Sequence, residues 1–149
     1  MQILASHTFR AVSFPWRLYA GVEALRHLAE EVRRHQAQRA FVVCGQTVAH
    51  RTNLLERVQD QLGPLYAGVF DAMDKDSTWP AVEKGTAAAR DAGADLLIAI
   101  GGGSVIVGTR VIAILLGEKG DPYTLMTQDR KSTRLNSSHL KLSRMPSSA

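Results

Sequence analysis

The most constraining stretch of this chain runs from Asp95 to Ser104. There an apolar segment, Asp95-Leu96-Leu97-Ile98-Ala99-Ile100, leads straight into three consecutive glycines and a serine. A short apolar run bounded by glycine reads as a buried strand. The residues after Ser104 are apolar over a helical length, so the glycines stand at a strand-to-helix junction. Without Cβ atoms the backbone can turn sharply there, and an anion can approach its N–H groups. The helix N-terminus adds partial positive charge, worth roughly 0.3–1 kcal/mol to an anion and up to ~2 kcal/mol when partly buried. Ser104 is placed to cap the helix or to donate to a phosphate oxygen. A plain tight turn is the competing reading, but one glycine normally suffices for a turn. Two familiar phosphate motifs do not fit. G-x-G-x-x-G would need glycine where Ile106 stands, and a P-loop would need Gly-Lys-Ser/Thr after four spacers. The junction points to pyrophosphate binding by backbone, without an ATPase lysine.

The rest of the chain alternates strand and helix patterns. Phe14 to Gly21 reads as an edge strand running into a turn. Val22, Leu25, Leu28, Ala29 and Val32 then recur at helical spacing, with Glu30, Arg33 and Arg34 on the other side. Arg39 to Cys44 is a buried strand pattern. Leu54, Leu55, Val58 and Leu62 mark a second amphipathic helix, stopped by Gly63-Pro64. Tyr66 to Phe70 reads as a second buried strand, and Asp71 to Thr78 as a polar loop. Pro80 opens a third helix, where its missing N–H costs nothing. Its small residues Ala81, Gly85, Ala88, Ala89 and Ala92 predict close packing on a sheet, and Gly93 ends it. The last helix, from about Ser104 to Leu116, is apolar nearly all round, which predicts burial between two layers or domains. The fold class expected is α/β: a Rossmann-like parallel sheet with helical crossovers, incomplete within this chain.

Composition narrows the function classes. Residues 1–128 carry 13 basic and 13 acidic side chains, whereas residues 129–149 carry five basic and one acidic. The net charge of +4 therefore sits in the last 21 residues. That stretch has no aromatic residue to stack on bases, so no nucleic-acid partner is expected. The first residues lack the charged and apolar regions of a signal peptide. The longest candidate for a membrane span, Leu96 to Leu116, contains Arg110 and three glycines, so no membrane partner is expected. Cys44 is the only cysteine; it fits a reducing, cytoplasmic setting and reads as core rather than nucleophile. The five histidines include no pair at metal-ligand spacing with a nearby carboxylate, and Asp71, Asp74 and Asp76 lack the glycine and distal glutamate of a cation loop. No catalytic residue and no metal ligand is assigned in this chain.

Gly45 and Thr47 follow the first buried strand, at the strand end where ligands sit in open α/β sheets. A carboxylate there would hold a ribose diol and repel a 2′-phosphate. Gly45 stands instead, either tolerating NADP or serving as an ordinary turn glycine.

The segment Ala94 to Ile106 resembles the signature of the iron-containing alcohol dehydrogenase family, which includes maleylacetate reductases. The entry segment Trp16 to Gly21, the strand Phe41-Val42-Val43 and the loop Asp76-Ser77-Thr78 before a helix fit the same order, and the resemblance covers roughly residues 12–128. It implies an amino-terminal domain that binds NAD or NADP. A carboxyl-terminal helical domain would supply an aspartate and three histidines to a divalent metal, iron or sometimes zinc. It further implies hydride transfer between the nicotinamide and a small alcohol or carbonyl substrate, and leaves a homo-oligomer open. Gly101, Gly102, Gly103 and Ser104 would contact the pyrophosphate, Gly45 and Thr47 would lie near the adenosine ribose, and Asp76 near the adenine. Val107 and Arg110 stand where members often carry an aspartate and a lysine. The metal domain is absent from this sequence, so the chain by itself is expected to be an inactive, truncated portion; a free-standing nucleotide-binding module is the alternative.

From Asp129 onward the sequence is polar, with six serines in 21 residues and no periodic apolar face. Such a segment cannot bury enough surface to offset its ordering entropy, so a disordered tail is expected. Read back into codons, Asp129 to His139 and Ser143 to Ala149 resemble the two ends of a common sequencing-library adapter. The expected division is a partial NAD(P)-binding domain over 1–128 and an appended, artefactual tail over 129–149.

Overall fold

The computed structural model describes residues 17–118. Its centre is a three-stranded, all-parallel sheet in the order β2-β1-β3, formed by β1 (Ala40–Cys44), β2 (Tyr66–Phe70) and β3 (Leu96–Ile100). Helix α1 (Leu28–Arg34) precedes β1. Helices α2 (Gln46–Arg51) and α3 (Leu54–Leu62) carry the chain to β2, α4 (Trp79–Asp91) carries it to β3, and α5 (Gly103–Gly117) follows.

Strand β1 is buried along its whole length because helices cover both faces. Its alternate residues point to opposite layers. Ala40 and Val42 join Leu28, Val32, Val58 and Leu62 under α1 and α3. Phe41 and Val43 join Ala81, Val82, Val105 and Ile112 under α4 and α5. The result is a three-layer helix–sheet–helix arrangement, as the alternation of strand and helix patterns predicts. The small residues of α4 serve close packing. Gly85 sits where a Cβ would come within 2.7 Å of the Ile112 side chain and 3.1 Å of Phe70, so α4 wedges between α5 and β2.

Several expectations are corrected. Residues 17–20 form no strand. Side-chain bonds hold this segment instead: the Tyr19 ring stacks on His27 at 4.2 Å, and its hydroxyl donates to Glu31 at 2.7 Å. Arg17 and Arg34 lie 3.5 and 3.3 Å from the same carboxylate, which compensates the burial of Glu31. Phe14 to Trp16 lie outside the described residues. The first helix begins as a 3-10 turn over Ala24–His27 before α1. Strand β2 is half-buried rather than buried, and among the described residues it pairs only with β1. Helix α2 went unanticipated, since Gln46–Arg51 has no apolar periodicity. Helix α5 buries Val105, Gly108, Thr109 and Ile112 but leaves Val107 52% exposed, so burial between two layers is incomplete within the described residues. Among those residues no helix is long and apolar enough to cross a membrane. The proposed tail, 129–149, lies outside them.

Candidate nucleotide site at the carboxyl edge of the sheet

After β1 the chain moves to one side of the sheet to form β2, then crosses to the other side to form β3. The carboxyl ends of β1 and β3 therefore flank the point where strand order reverses, the usual ligand crevice of open α/β sheets. Cys44 and Ile100 are register partners, so Gly45 and Gly101 leave the sheet side by side. Folding thus brings together two segments that are far apart in sequence.

The three glycines play different roles. Gly101 has φ +155°, and a Cβ there would meet Val105 at 2.7 Å, so glycine is required by the turn itself. Gly102 is the N-cap residue of α5, with φ −82° and ψ −164°, an extended conformation open to any residue. At Gly102 and Gly103 a Cβ would meet no heavy atom within 4 Å. The described chain thus has no steric reason to keep glycine at either position, and the space above them is open. Within α5 the chain-internal bonding starts with the N–H of Ile106 donating to the Gly102 carbonyl at 3.1 Å. The N–H groups of Gly103, Ser104 and Val105 precede it and face the helix entrance, as the first-turn donors of any helix do.

Gly45 caps α2 with extended backbone, and a Cβ on it would press the Met73 carbonyl at 3.3 Å. A carboxylate-bearing residue at 45 would therefore displace the loop after β2. Thr47 and Asp76 are exposed. Ser104 is not the N-cap residue; it lies one turn position inside α5, and its hydroxyl donates to the Lys75 carbonyl. The expectation that it caps the helix is corrected: Gly102 occupies that place.

Residues 71–78, read from sequence as a solvated polar loop, are an ordered part of this edge. The Met73 N–H donates to the Cys44 carbonyl at 3.1 Å, and the Ser77 hydroxyl to the Ser104 carbonyl at 2.5 Å. The three acids of the loop diverge. Asp71 lies 3.2 Å from His50, and Asp74 accepts the N–H of Thr78 at 2.7 Å and its hydroxyl as well. Among the described residues no group of three or more His, Cys, Asp or Glu could hold a metal. Cys44 is fully buried, and burial, with the nearby Asp71 charge, pushes its thiol up to about 11. At neutral pH it is a protonated core residue and not a nucleophile.

The Thr78 hydroxyl and N–H hold the Asp74 carboxyl below its ordinary pKa. A depressed carboxylate stabilises the fold above its unfolded pKa of about 3.9, and that contribution fades as pH falls through the lower folded value. The stability difference between the native chain and Asp74→Asn is therefore expected to shrink below pH about 4. Thermal unfolding of both chains across acid pH checks this; a difference that grows with acidification would contradict it.

The sequence profile of iron-containing alcohol dehydrogenases matches residues 15–149. That match takes in residues 129–149, which composition had set apart. Maleylacetate reductase 2 of Cupriavidus pinatubonensis is 37% identical over 106 residues, covering 71% of this chain and 29% of that protein. The 4-hydroxybutyrate dehydrogenase of Cupriavidus necator is 31% identical over 126 residues, covering 85% of this chain and 33% of that protein. The crystal structure of maleylacetate reductase from Rhizobium sp. strain MTP-10005 superposes with a TM-score of 0.63 at 31% identity, over 72% of this chain and 30% of that one. The chain thus spans between 29% and 33% of the length of the curated relatives named here. A profile match over nearly the whole chain, and relatives above 30% identity that share its fold, make this chain a member of the iron-containing alcohol dehydrogenase family.

Proposed function

We propose that residues 1–128 form the cofactor-binding portion of a cytoplasmic, metal-dependent oxidoreductase acting on a small alcohol or carbonyl compound. The adenosine diphosphate half of NAD or NADP rests on Gly101, Gly102, Gly103 and Ser104. Gly45 and Thr47 lie along the adenosine ribose, and Asp76 toward the adenine. The observation that carries this reading is the open space over Gly102 and Gly103, which a diphosphate would fill and a side chain would block. The backbone N–H groups of the first turn of α5 bind and orient the phosphates, and the helix dipole adds to their field. Gly45 presents no carboxylate to a 2′-phosphate, which supports use of NADP as well as NAD. When bound, the nicotinamide supplies the hydride chemistry.

The described residues do not fit a metal centre. The iron or zinc of the reaction would be held by residues other than the described ones. The 149-residue chain is therefore expected to protect the amides of 101–106 from hydrogen exchange when ADP is added, yet to show no chelator-sensitive alcohol oxidation. Absence of ADP-dependent protection would overturn the nucleotide site. Metal-dependent turnover by the purified chain would overturn the division of labour.

A further inference from the structure

The loop between β2 and α4 and the first turn of α5 exchange hydroxyl bonds. The Ser77 hydroxyl donates to the Ser104 carbonyl at 2.5 Å, and the Ser104 hydroxyl donates back to the Lys75 carbonyl. We propose that this reciprocal pair is a clasp that pre-orders the glycine turn for a diphosphate, with Ser77 and Ser104 as positioning residues. The proposal rests on the nucleotide reading given above.

The geometry around the clasp supports a positioning role. Ser77 has φ +51°, in the left-handed region that non-glycine residues seldom occupy. Such a conformation persists only where its surroundings over-determine it. Here the Ser77 N–H donates to the Asp74 carbonyl at 3.3 Å, and Asp74 in turn binds the N–H and hydroxyl of Thr78. The left-handed turn lies within this closed set of bonds, and its hydroxyl reaches α5.

The same loop is fastened at two further points. The Met73 N–H is bonded to the Cys44 carbonyl at the end of β1. Its thioether lies against α5 at Gly108, where a Cβ would come within 2.5 Å of the sulfur. The loop therefore ties the carboxyl end of β1 to α5 on either side of the switch point. Between these ties runs the exposed turn Gly101–Gly103. Consecutive glycines lose the most conformational freedom on ordering, which weakens any ligand that must order them. A clasp that holds Ser104 in place supplies that order before the ligand arrives, and pre-ordering raises affinity without a new contact. With its hydroxyl proton given to Lys75, Ser104 offers a phosphate its backbone N–H.

The test uses the full 149-residue chain at low concentration, with ADP as probe. Hydrogen exchange of the peptide spanning 101–106, titrated with ADP, reports both affinity and local order. Ser77→Gly keeps the left-handed backbone and removes the hydroxyl; Ser104→Ala removes the return bond; Ser104→Thr retains a hydroxyl. Ser77→Gly and Ser104→Ala are each expected to weaken ADP about five-fold, the size of one lost hydrogen bond. Each should also speed ligand-free exchange of this peptide, with the melting temperature within a few degrees of the parent chain's. The double variant should be little worse than either single one, because both cut the same clasp, and Ser104→Thr should recover most of the affinity. ADP protection in the parent chain with unaltered affinity and exchange in Ser77→Gly and Ser104→Ala would overturn the clasp alone. A parent chain that ADP does not protect would overturn the nucleotide reading and the positioning role with it.

Discussion

Gly102→Val is expected to weaken binding of ADP and NAD(P) by at least ~100-fold, because it removes room for two or more charge-assisted hydrogen bonds worth roughly 1.5–3 kcal/mol each. The fold should tolerate the change. Gly102 has ordinary extended backbone, and a Cβ there meets nothing within 4 Å. Loss of a glycine N-cap in favour of valine costs on the order of 1 kcal/mol at most. Gly101→Val provides the contrast. Its Cβ would strike Val105 at 2.7 Å from a backbone at φ +155°, so this variant should lose stability as well as binding. Affinity by exchange titration and stability by thermal melting, measured on both variants, separate the two roles. A Gly102→Val chain that binds ADP like its parent would refute the assignment of the site.

The 149-residue chain is also expected to self-associate, and removal of residues 129–149 is not expected to cure it. Helix α5 runs Val105-Ile106-Val107 and Val111 to Leu116 with Arg110 as its one charged side chain. Only Val105, Gly108, Thr109 and Ile112 are buried. Val111, Ala113, Leu115 and Leu116 pack against the core only in part, and Val107 is 52% exposed, so the helix keeps apolar surface of the kind that drives association. Strands β2 and β3 each pair on one side only among the described residues, which adds two edges able to recruit another strand. Residues 129–149 are polar and serine-rich, and their sequence has no periodic apolar pattern. Light scattering on the two chains should give apparent masses of a dimer or larger for both. A monodisperse, cooperatively melting monomer of residues 1–128 would show the domain complete and contradict this view. Association that vanishes with the tail would assign it to residues 129–149 instead.

The architecture was readable from periodicity because each element has a single job. The apolar run Arg39–Cys44 and the apolar run before Gly101 had to be buried strands, and α3 and α4 carry apolar faces at helical spacing bounded by Gly63, Pro80 and Gly93. The glycine turn was readable because three glycines at a strand-to-helix junction have few uses. Where one side chain's fate depends on a distant partner, the sequence was silent. Tyr19 looked like a strand residue because nothing local reveals that Glu31 will receive its hydroxyl. Tyr66–Phe70 has the composition of a buried strand, and only the strand order put it at an edge.

For the candidate site the division is sharper. Sequence by itself determined that Gly45 and Gly101–Ser104 follow buried strands and so belong at the carboxyl edge of a parallel sheet. Only the tertiary structure decided that those two ends are neighbours, that Gly101 is a glycine for the protein while Gly102 and Gly103 leave space for something else, and that Ser104 spends its hydroxyl on Lys75. The loop 71–78 shows why. Its bonds to Cys44 and Ser104 join residues more than 25 positions apart, and Ser77 adopts a left-handed conformation that no local preference of serine favours. Local patterns encode which face of an element is apolar. Hydrogen bonds between loops depend on how the elements have already packed, and that information exists only once the chain is folded.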